Sequence, residues 1–207
     1  MKKMSTLFKV IYHESRGKGT ITTEVRPENS WVYADKGVVP TRKFDGTACM
    51  VKAGVLYARY DAKPTKEAWD RVKSEGGSYA ANDFRGVPAT ALPCQEPDLV
   101  TGHYPHWVIC EKDNPAFKHH LAAFNKQEGL EDGTYEFCGK TVKSDPEGVG
   151  EGVLISHGSK VLPLTDFSFE GIKAYLANPA HNVEGIVFRH PDGRMCKIRK
   201  ADFGVRR

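Results

Sequence analysis

The chain has 207 residues, 40% hydrophobic and 27% charged, an ordinary composition for a globular protein with one sizeable core. No run approaches the roughly 20 apolar residues of a membrane span. Met1-Lys2-Lys3-Met4-Ser5 lacks the apolar stretch of a secretory signal, so a cytoplasmic location is expected. A net charge of +4 and a pI near 8.7 permit an anionic partner without demanding one. The cysteines (Cys49, Cys94, Cys110, Cys138 and Cys196) form no Cys-x-x-Cys pair, which argues against a zinc ribbon and for free, mostly buried thiols.

In chain order, Gly19 to Val25 and Trp31 to Asp35 are rich in β-branched and aromatic residues and predict strands. Thr47 to Lys52 and Val55 to Tyr60 flank a tight Lys52-Ala53-Gly54 turn and predict a hairpin, with Lys43 just before it. Pro64 and Thr65 open a short helix to Lys73. Ser74 to Pro105, rich in glycine, proline and small residues, predicts a long loop of the kind that is often functional. Strand character returns at Trp107 to Cys110. Pro115 to Lys126 predicts a helix from the spacing of Phe117, Leu121 and Phe124. His119 and His120 lie on it; neighbours on a helix point apart, so they read as surface histidines rather than metal ligands.

Strands are predicted for Thr134 to Lys140, Val153 to His157 and Val183 to His190. Between the last two, Asp166 or Ser168 caps a helix that runs to Ala177 and ends at Asn178-Pro179. Pro191-Asp192-Gly193 turns the last strand back as Arg194 to Lys200. Hairpins outnumber strand-helix-strand units, so the expected class is α+β with mainly antiparallel sheets.

Three constellations carry chemistry. In Arg42-Lys43-Phe44-Asp45-Gly46-Thr47, a lysine sits beside an arginine and ahead of a tight Asp-Gly turn. Nearby positive charge lowers a lysine pKa and a rigid turn aims its amine, which together make a nucleophile. Asp45 adds an acid for a metal-bound water or a ribose. By itself such a tetrapeptide occurs in many surface turns. The second constellation is Glu184-Gly185-Ile186-Val187-Phe188 followed by Cys196-Lys197-Ile198-Arg199-Lys200. On antiparallel strands Glu184, Lys197 and Arg199 can share a face, suited to a metal-bound polyphosphate; a solvated face with cross-strand ion pairs is the alternative. The third is Glu136, mid-strand among apolar neighbours, where a carboxylate needs a partner. Ribose hydroxyls or Arg59 would supply it.

The order of these motifs resembles the covalent nucleotidyltransferase superfamily of ATP-dependent RNA and DNA ligases and mRNA-capping enzymes. Lys43-Phe44-Asp45-Gly46 is similar to its nucleophile motif and Arg59 to the following arginine. Tyr135-Glu136 with Gly139, Glu184-Gly185-Ile186-Val187, and Lys197-Ile198-Arg199 are similar to the third, fourth and fifth motifs. Within the superfamily the chain most resembles the small 5′-3′ RNA ligase family known from vertebrates, phages and bacteria. The words carrying this are Ala58 to Lys66, Trp107-Val108 with Glu111-Lys112, and Val183 to Phe188 with Asp192-Gly193.

The resemblance implies a nucleotidyltransferase fold over residues 1–207, read as a single adenylyltransferase domain of two antiparallel sheets with flanking helices and ATP held between them. It implies an RNA ligase (ATP), a monomer in RNA repair, joining RNA 5′-phosphate and 3′-hydroxyl ends with ATP and Mg²⁺ or Mn²⁺. Lys43 would accept AMP. Arg59 and Glu136 would hold the ribose, or Arg59 would engage the RNA 5′-phosphate. Glu184 would bind the metal and Lys197 the α-phosphate. Arg42, Asp45 and Arg199 complete the nucleotide set, and His157 or Ile155 would stack on adenine. Lys63, Lys66, Arg71 and Lys73 would form a basic rim for RNA, or a solvated helix face. Arg199 stands where the fifth motif usually has lysine, which keeps the charge. The chain ends at Arg207, so no OB-fold domain with a sixth motif is expected, unlike DNA ligases and capping enzymes. A capping-type guanylyltransferase and a catalytically silent RNA- or nucleotide-binding module are the competing readings.

Overall fold

A computed structural model describes residues 1–12 and 19–207. Strands β1 (Ser5–Thr6), β2 (Phe8–Tyr12) and the expected β3 (Gly19–Val25) come first. Pro27 then opens a 3-10 turn, and the chain continues as helix α1 (Trp31–Ala34) where a strand was predicted. The physical reason is burial. Trp31 and Val32 are both buried while Tyr33 is 45% exposed. Adjacent strand residues face opposite sides, whereas adjacent helical residues can enter one core together.

Strands β4 (Val39–Lys43), β5 (Thr47–Lys52) and β6 (Val55–Ala62) follow. The β5–β6 turn is the predicted one: Ala53 and Gly54 take φ of 50° and 74°, the twist a two-residue hairpin requires. Helix α2 (Lys66–Glu75) starts where predicted, with the Thr65 hydroxyl accepting the Ala68 N–H at 3.3 Å. The long irregular stretch carries a 3-10 turn at Ala81–Asp83, the two-residue β7 (Leu92–Pro93) and isolated bridges at Phe84 and between Asp98 and His103 before β8 (Tyr104–Ile109).

Helix α3 (Lys118–Lys126), strands β9 (Gly133–Cys138) and β10 (Val153–Ser156), and helix α4 (Phe169–Ala177) occupy the predicted segments. The Ser168 side chain caps α4 by accepting the Gly171 N–H at 3.1 Å. Strand β9 stops before Lys140 because Gly139 takes φ of 147° and packs against the Gly152 backbone. Strands β11 (Gly185–Arg189) and β12 (Met195–Arg199) form the last hairpin.

The chain divides into two compact units. The larger comprises Met1–Lys3 and Gly46–Ser156; the smaller comprises Met4–Asp45 and His157–Arg207. In the larger unit six strands form an antiparallel sheet in the order β10-β9-β5-β6-β8-β7. Its core lies on one face, where Cys49, Val51, Leu56, Phe137 and Leu154 pack with Ala123, Leu121 and Phe124 of α3. In the smaller unit the sheet order is β1-β12-β11-β4, with β1 parallel to β12, and β2 and β3 pair separately. Phe8, Trp31, Ile172, Leu176, Ile186, Phe188 and Ile198 make its core. Each such side chain stabilises the fold by roughly 1.5–3 kcal/mol. The class is α+β, as the hairpins predict. Four of the cysteines are buried, Cys94 is half-buried, and all are free. Among the described residues no helix is long and apolar enough to cross a membrane.

Candidate functional site

The four-stranded sheet of the smaller unit has two unlike faces. Ile186 and Phe188 of β11 and Cys196 and Ile198 of β12 are fully buried in the core. Side chains alternate along a strand, so Val187, Lys197 and Arg199 project from the opposite face. The register completes the set. Gly185 lies opposite both Lys43 and Arg199, and Val187 opposite both Thr41 and Lys197. Lys43, Lys197 and Arg199 therefore share one face, with the side-chain-free Gly185 between Lys43 and Arg199. No other residue fits at 185: a Cβ there would lie 2.2 Å from the Ile198 carbonyl oxygen and 2.8 Å from the Arg199 Cα.

Glu184 immediately precedes β11 and is pinned by its carbonyl, which accepts the Lys200 N–H at 2.9 Å. Its carboxylate Oε2 accepts from the Lys43 Nζ at 2.5 Å, with both side chains only 20% exposed. Lys197 is pushed down to about 8, first by burial and then by the charges of Lys43 and Arg199. An anion on this face would relieve that penalty. Arg199 is steadied by Asp202: its guanidinium donates to Oδ1 at 2.6 Å and its backbone N–H to Oδ2 at 2.8 Å.

Two further predicted residues have neighbours of their own. Arg42 lies opposite Ile186, so it leaves the strand on the core side, where it donates to the Asn182 carbonyl at 2.9 Å and sits 5.4 Å from the Phe44 ring centre. The charge of Lys43 acts on Lys197 across this face. Asp45 lies 3.7 Å from the Arg207 guanidinium, both side chains being less than one-fifth exposed. Arg207 and Asp202 are the residues that sequence reasoning missed. Neither belongs to a motif, and only the fold brings Arg207 to Asp45. His157 follows β10 and is half-buried.

In the larger unit, Glu136 projects from the sheet face opposite the core. Its Oε1 accepts the Gly46 N–H at 3.0 Å. Gly46 allows that approach because a Cβ there would lie 2.3 Å from the Phe137 carbonyl oxygen. Gly46 and Glu136, 90 residues apart in the sequence, are thus joined. Glu136 pairs with Ala48 on one side and Ile155 on the other, and Arg59 pairs with Trp107. Continuing the β5–β6 register sets Arg59 opposite Ala48, so Arg59, Ala48, Glu136 and Ile155 line one face.

His120 differs from the surface position predicted for it. His119 is exposed, but the His120 ring is half-buried, 4.4 Å from the Phe137 ring centre, with Nε2 3.4 Å from the Thr47 hydroxyl. Burial and then the charge of His119 lower its pKa. Among the described residues no three or more His, Cys, Asp or Glu side chains gather as a metal cage. Mg²⁺ needs only one or two carboxylates when substrate phosphates supply the rest, and Glu184 provides one such carboxylate beside Lys43.

Comparison with known proteins relates the chain to the RNA ligase family. No family model matches it. It is 27% identical to RNA ligase 1 of Pongo abelii over 226 residues, covering 81% of this chain and 67% of that protein. It is 28% identical to RNA ligase 1 of Danio rerio over 221 residues, covering 80% of this chain and 67% of that protein.

Proposed function

We propose that the chain is an ATP-dependent RNA ligase of nucleotidyltransferase fold in which Lys43 becomes adenylylated. The observation that carries this reading is the shared sheet face of Lys43, Lys197 and Arg199, with Glu184 at 2.5 Å from the Lys43 amine. The relationship to proteins named RNA ligase 1 supports it independently.

Each residue has a task in this reading. The Lys43 Nζ attacks the α-phosphorus of ATP; an N–P bond forms as the P–O bond to pyrophosphate breaks. The amine must shed its proton, and the Glu184 carboxylate already accepts from it. Lys197, disfavoured as an isolated cation, gains from a phosphate whose charge grows in the transition state. Arg199, aimed by Asp202, reinforces that field. Glu136 and Arg59 present an acid and a cation for ribose hydroxyls or a 5′-phosphate. Asp45, braced by Arg207, and Arg42 order the backbone around the lysine, and Ile155 or His157 provides the adenine contact. Glu184 would hold Mg²⁺ or Mn²⁺ together with the nucleotide, and the ion would supply further neutralisation of phosphate charge. AMP then passes to an RNA 5′-phosphate, and an RNA 3′-hydroxyl displaces it to seal the strand. Positioning and charge neutralisation account for the rate in such transfers.

Incubation with α-labelled ATP and Mg²⁺ is expected to give an acid-labile, base-stable protein–AMP adduct that is lost in Lys43→Ala. Undiminished labelling of that variant would sink the assignment. Preferential labelling by GTP would point to a capping-type enzyme, and labelling by neither nucleotide, with RNA binding retained, to a silent binding module.

A further inference from the structure

We propose that a groove in the larger unit, outside the residues assigned above to ATP, binds a single-stranded RNA segment, with a base stacked on Trp69 and phosphates met by Lys63, Lys66 and Arg85. The inference rests on the ligase reading for the identity of the nucleic acid. The groove has a volume of about 550 Å³, and Trp69 and Tyr79 line it together with Lys63, Lys66, Arg85 and Gly102. That is ample for a base with its sugar and phosphate.

Trp69 is the first pointer. It stands 48% exposed on α2, whose buried residue is its neighbour Ala68, so this large ring is not serving the core. The Lys73 ammonium lies 4.7 Å from the centre of the indole, which places a cation at the stacking platform. The opposite wall is fixed. The Tyr79 N–H donates to the Leu99 carbonyl at 2.8 Å, and its ring meets Phe84 edge-on at 6.1 Å. Gly102 closes the floor, because a Cβ there would lie 2.9 Å from both the Pro64 and the Tyr79 side chains. A preformed groove costs little ordering on binding.

Charge selects the occupant. The one acid lining the groove, Asp70, is matched by Lys66 at 2.6 Å. Lys63 shares Asp61 with His103. Arg85 and Lys73 have no acidic partner among the described residues. An apolar peptide would leave those cations unused, and an acidic peptide would leave the rings unused. Single-stranded RNA uses both, with bases on aromatic faces and phosphates on cations. The helix lies in the segment whose Lys63, Lys66, Arg71 and Lys73 the sequence offers as a basic rim, and Tyr79 and Arg85 lie in the loop that follows. The fold adds Trp69, Tyr79 and Arg85 to them.

Fluorescence anisotropy with a short labelled oligouridine, run across a salt series, tests the groove alongside adenylylation and sealing assays. Trp69→Ala is expected to weaken RNA binding at least about fivefold, and Trp69→Phe to retain most of it. Arg85→Gln should weaken binding and reduce the salt slope by about one. Self-adenylylation without RNA should match the wild type in each, while sealing falls through a higher KM for RNA. Unchanged RNA affinity in both Trp69→Ala and Arg85→Gln would overturn the proposal, as would an apolar or acidic peptide occupying the groove without displacing RNA. If the wild type fails to label with ATP yet binds oligouridine through Trp69, the ligase reading falls and the groove stands.

Discussion

The charged sheet face of the smaller unit and the groove of the larger unit are built by opposite means. On the sheet, Lys43, Lys197 and Arg199 come from strands paired on a buried core, and the heads of Lys43 and Arg199 are held by Glu184 and Asp202. In the groove, the rings and cations come from a helix and a loop, and Arg85 and Lys73 have no acidic partner among the described residues. Transfer at phosphorus needs atoms fixed within a fraction of an ångström, which strands give. Gripping a chain of variable sequence needs exposed rings and adaptable charge, which helices and loops provide. The two surfaces should therefore respond differently to the same insult.

Two glycines break or sharpen that contrast most strongly. Gly185→Ala forces a Cβ to within 2.2 Å of the Ile198 carbonyl oxygen, and only separation of β11 from β12 makes room. A stability loss of about 3 kcal/mol is expected, at the upper end for overpacking, with loss of adenylylation. Gly86, next to Arg85, has open space around its Cβ position and no positive φ. Gly86→Ala should be neutral, or stabilising by up to about 1 kcal/mol through the unfolded chain. Thermal unfolding of the two variants decides this, and equal losses would show that the groove is as tightly built as the sheet.

A smaller effect is expected at Glu136. Glu136→Ala leaves the Gly46 N–H without its acceptor, at a cost of about 1–3 kcal/mol. Glu136→Gln keeps an acceptor oxygen and should restore most of the stability. Adenylylation is expected to fall in both if the charge is needed for nucleotide, and only in Glu136→Ala if Glu136 merely positions the Lys43 loop. A KM-against-kcat comparison for ATP separates the two roles.

How far the sequence discloses this contrast depends on the range of the forces involved. Local chemistry was legible. Ala53-Gly54 and Asp192-Gly193 mark turns whose backbones need positive φ, at Ala53, Gly54 and Gly193, and Ser168 caps the helix after it. The sharing of a face by Lys197 and Arg199 also follows from alternation, since both lie on one short strand. Lys43 joins them only through the register of β4 against β11, which no local pattern carries. The same holds for Arg207 at Asp45, His120 against Phe137, and the parallel pairing of β1 with β12. Trp31 to Asp35 misled because β-branched and aromatic residues suit any buried segment, and the deciding fact was that both Trp31 and Val32 enter the core. Arg42, next to Lys43 in the sequence, leaves the strand on the other face because neighbours on a strand alternate.

The subtlest prediction concerns Lys197, whose folded pKa of about 8 lies below the ordinary 10.5. Below about pH 8 the lysine is charged in both folded and unfolded chains, so the fold bears the full cost of a cation crowded by Lys43 and Arg199. Between about 8 and 10.5 the unfolded chain binds more protons than the folded one, and stability rises with pH. Above that window the cost is gone. Burial is incomplete, so solvent screening limits the gain to on the order of 1–2 kcal/mol. Lys197→Met removes the titration, and the stability difference between variant and wild type should shrink steadily from pH 8 to pH 10. Following the difference, rather than either protein alone, cancels the depressed lysines Lys3 and Lys200. A difference that stays flat over that range would show that Lys197 carries no excess charge cost. The sheet face would then be an ion-paired surface with no electrostatic demand for phosphate, and its contrast with the groove would rest on geometry alone.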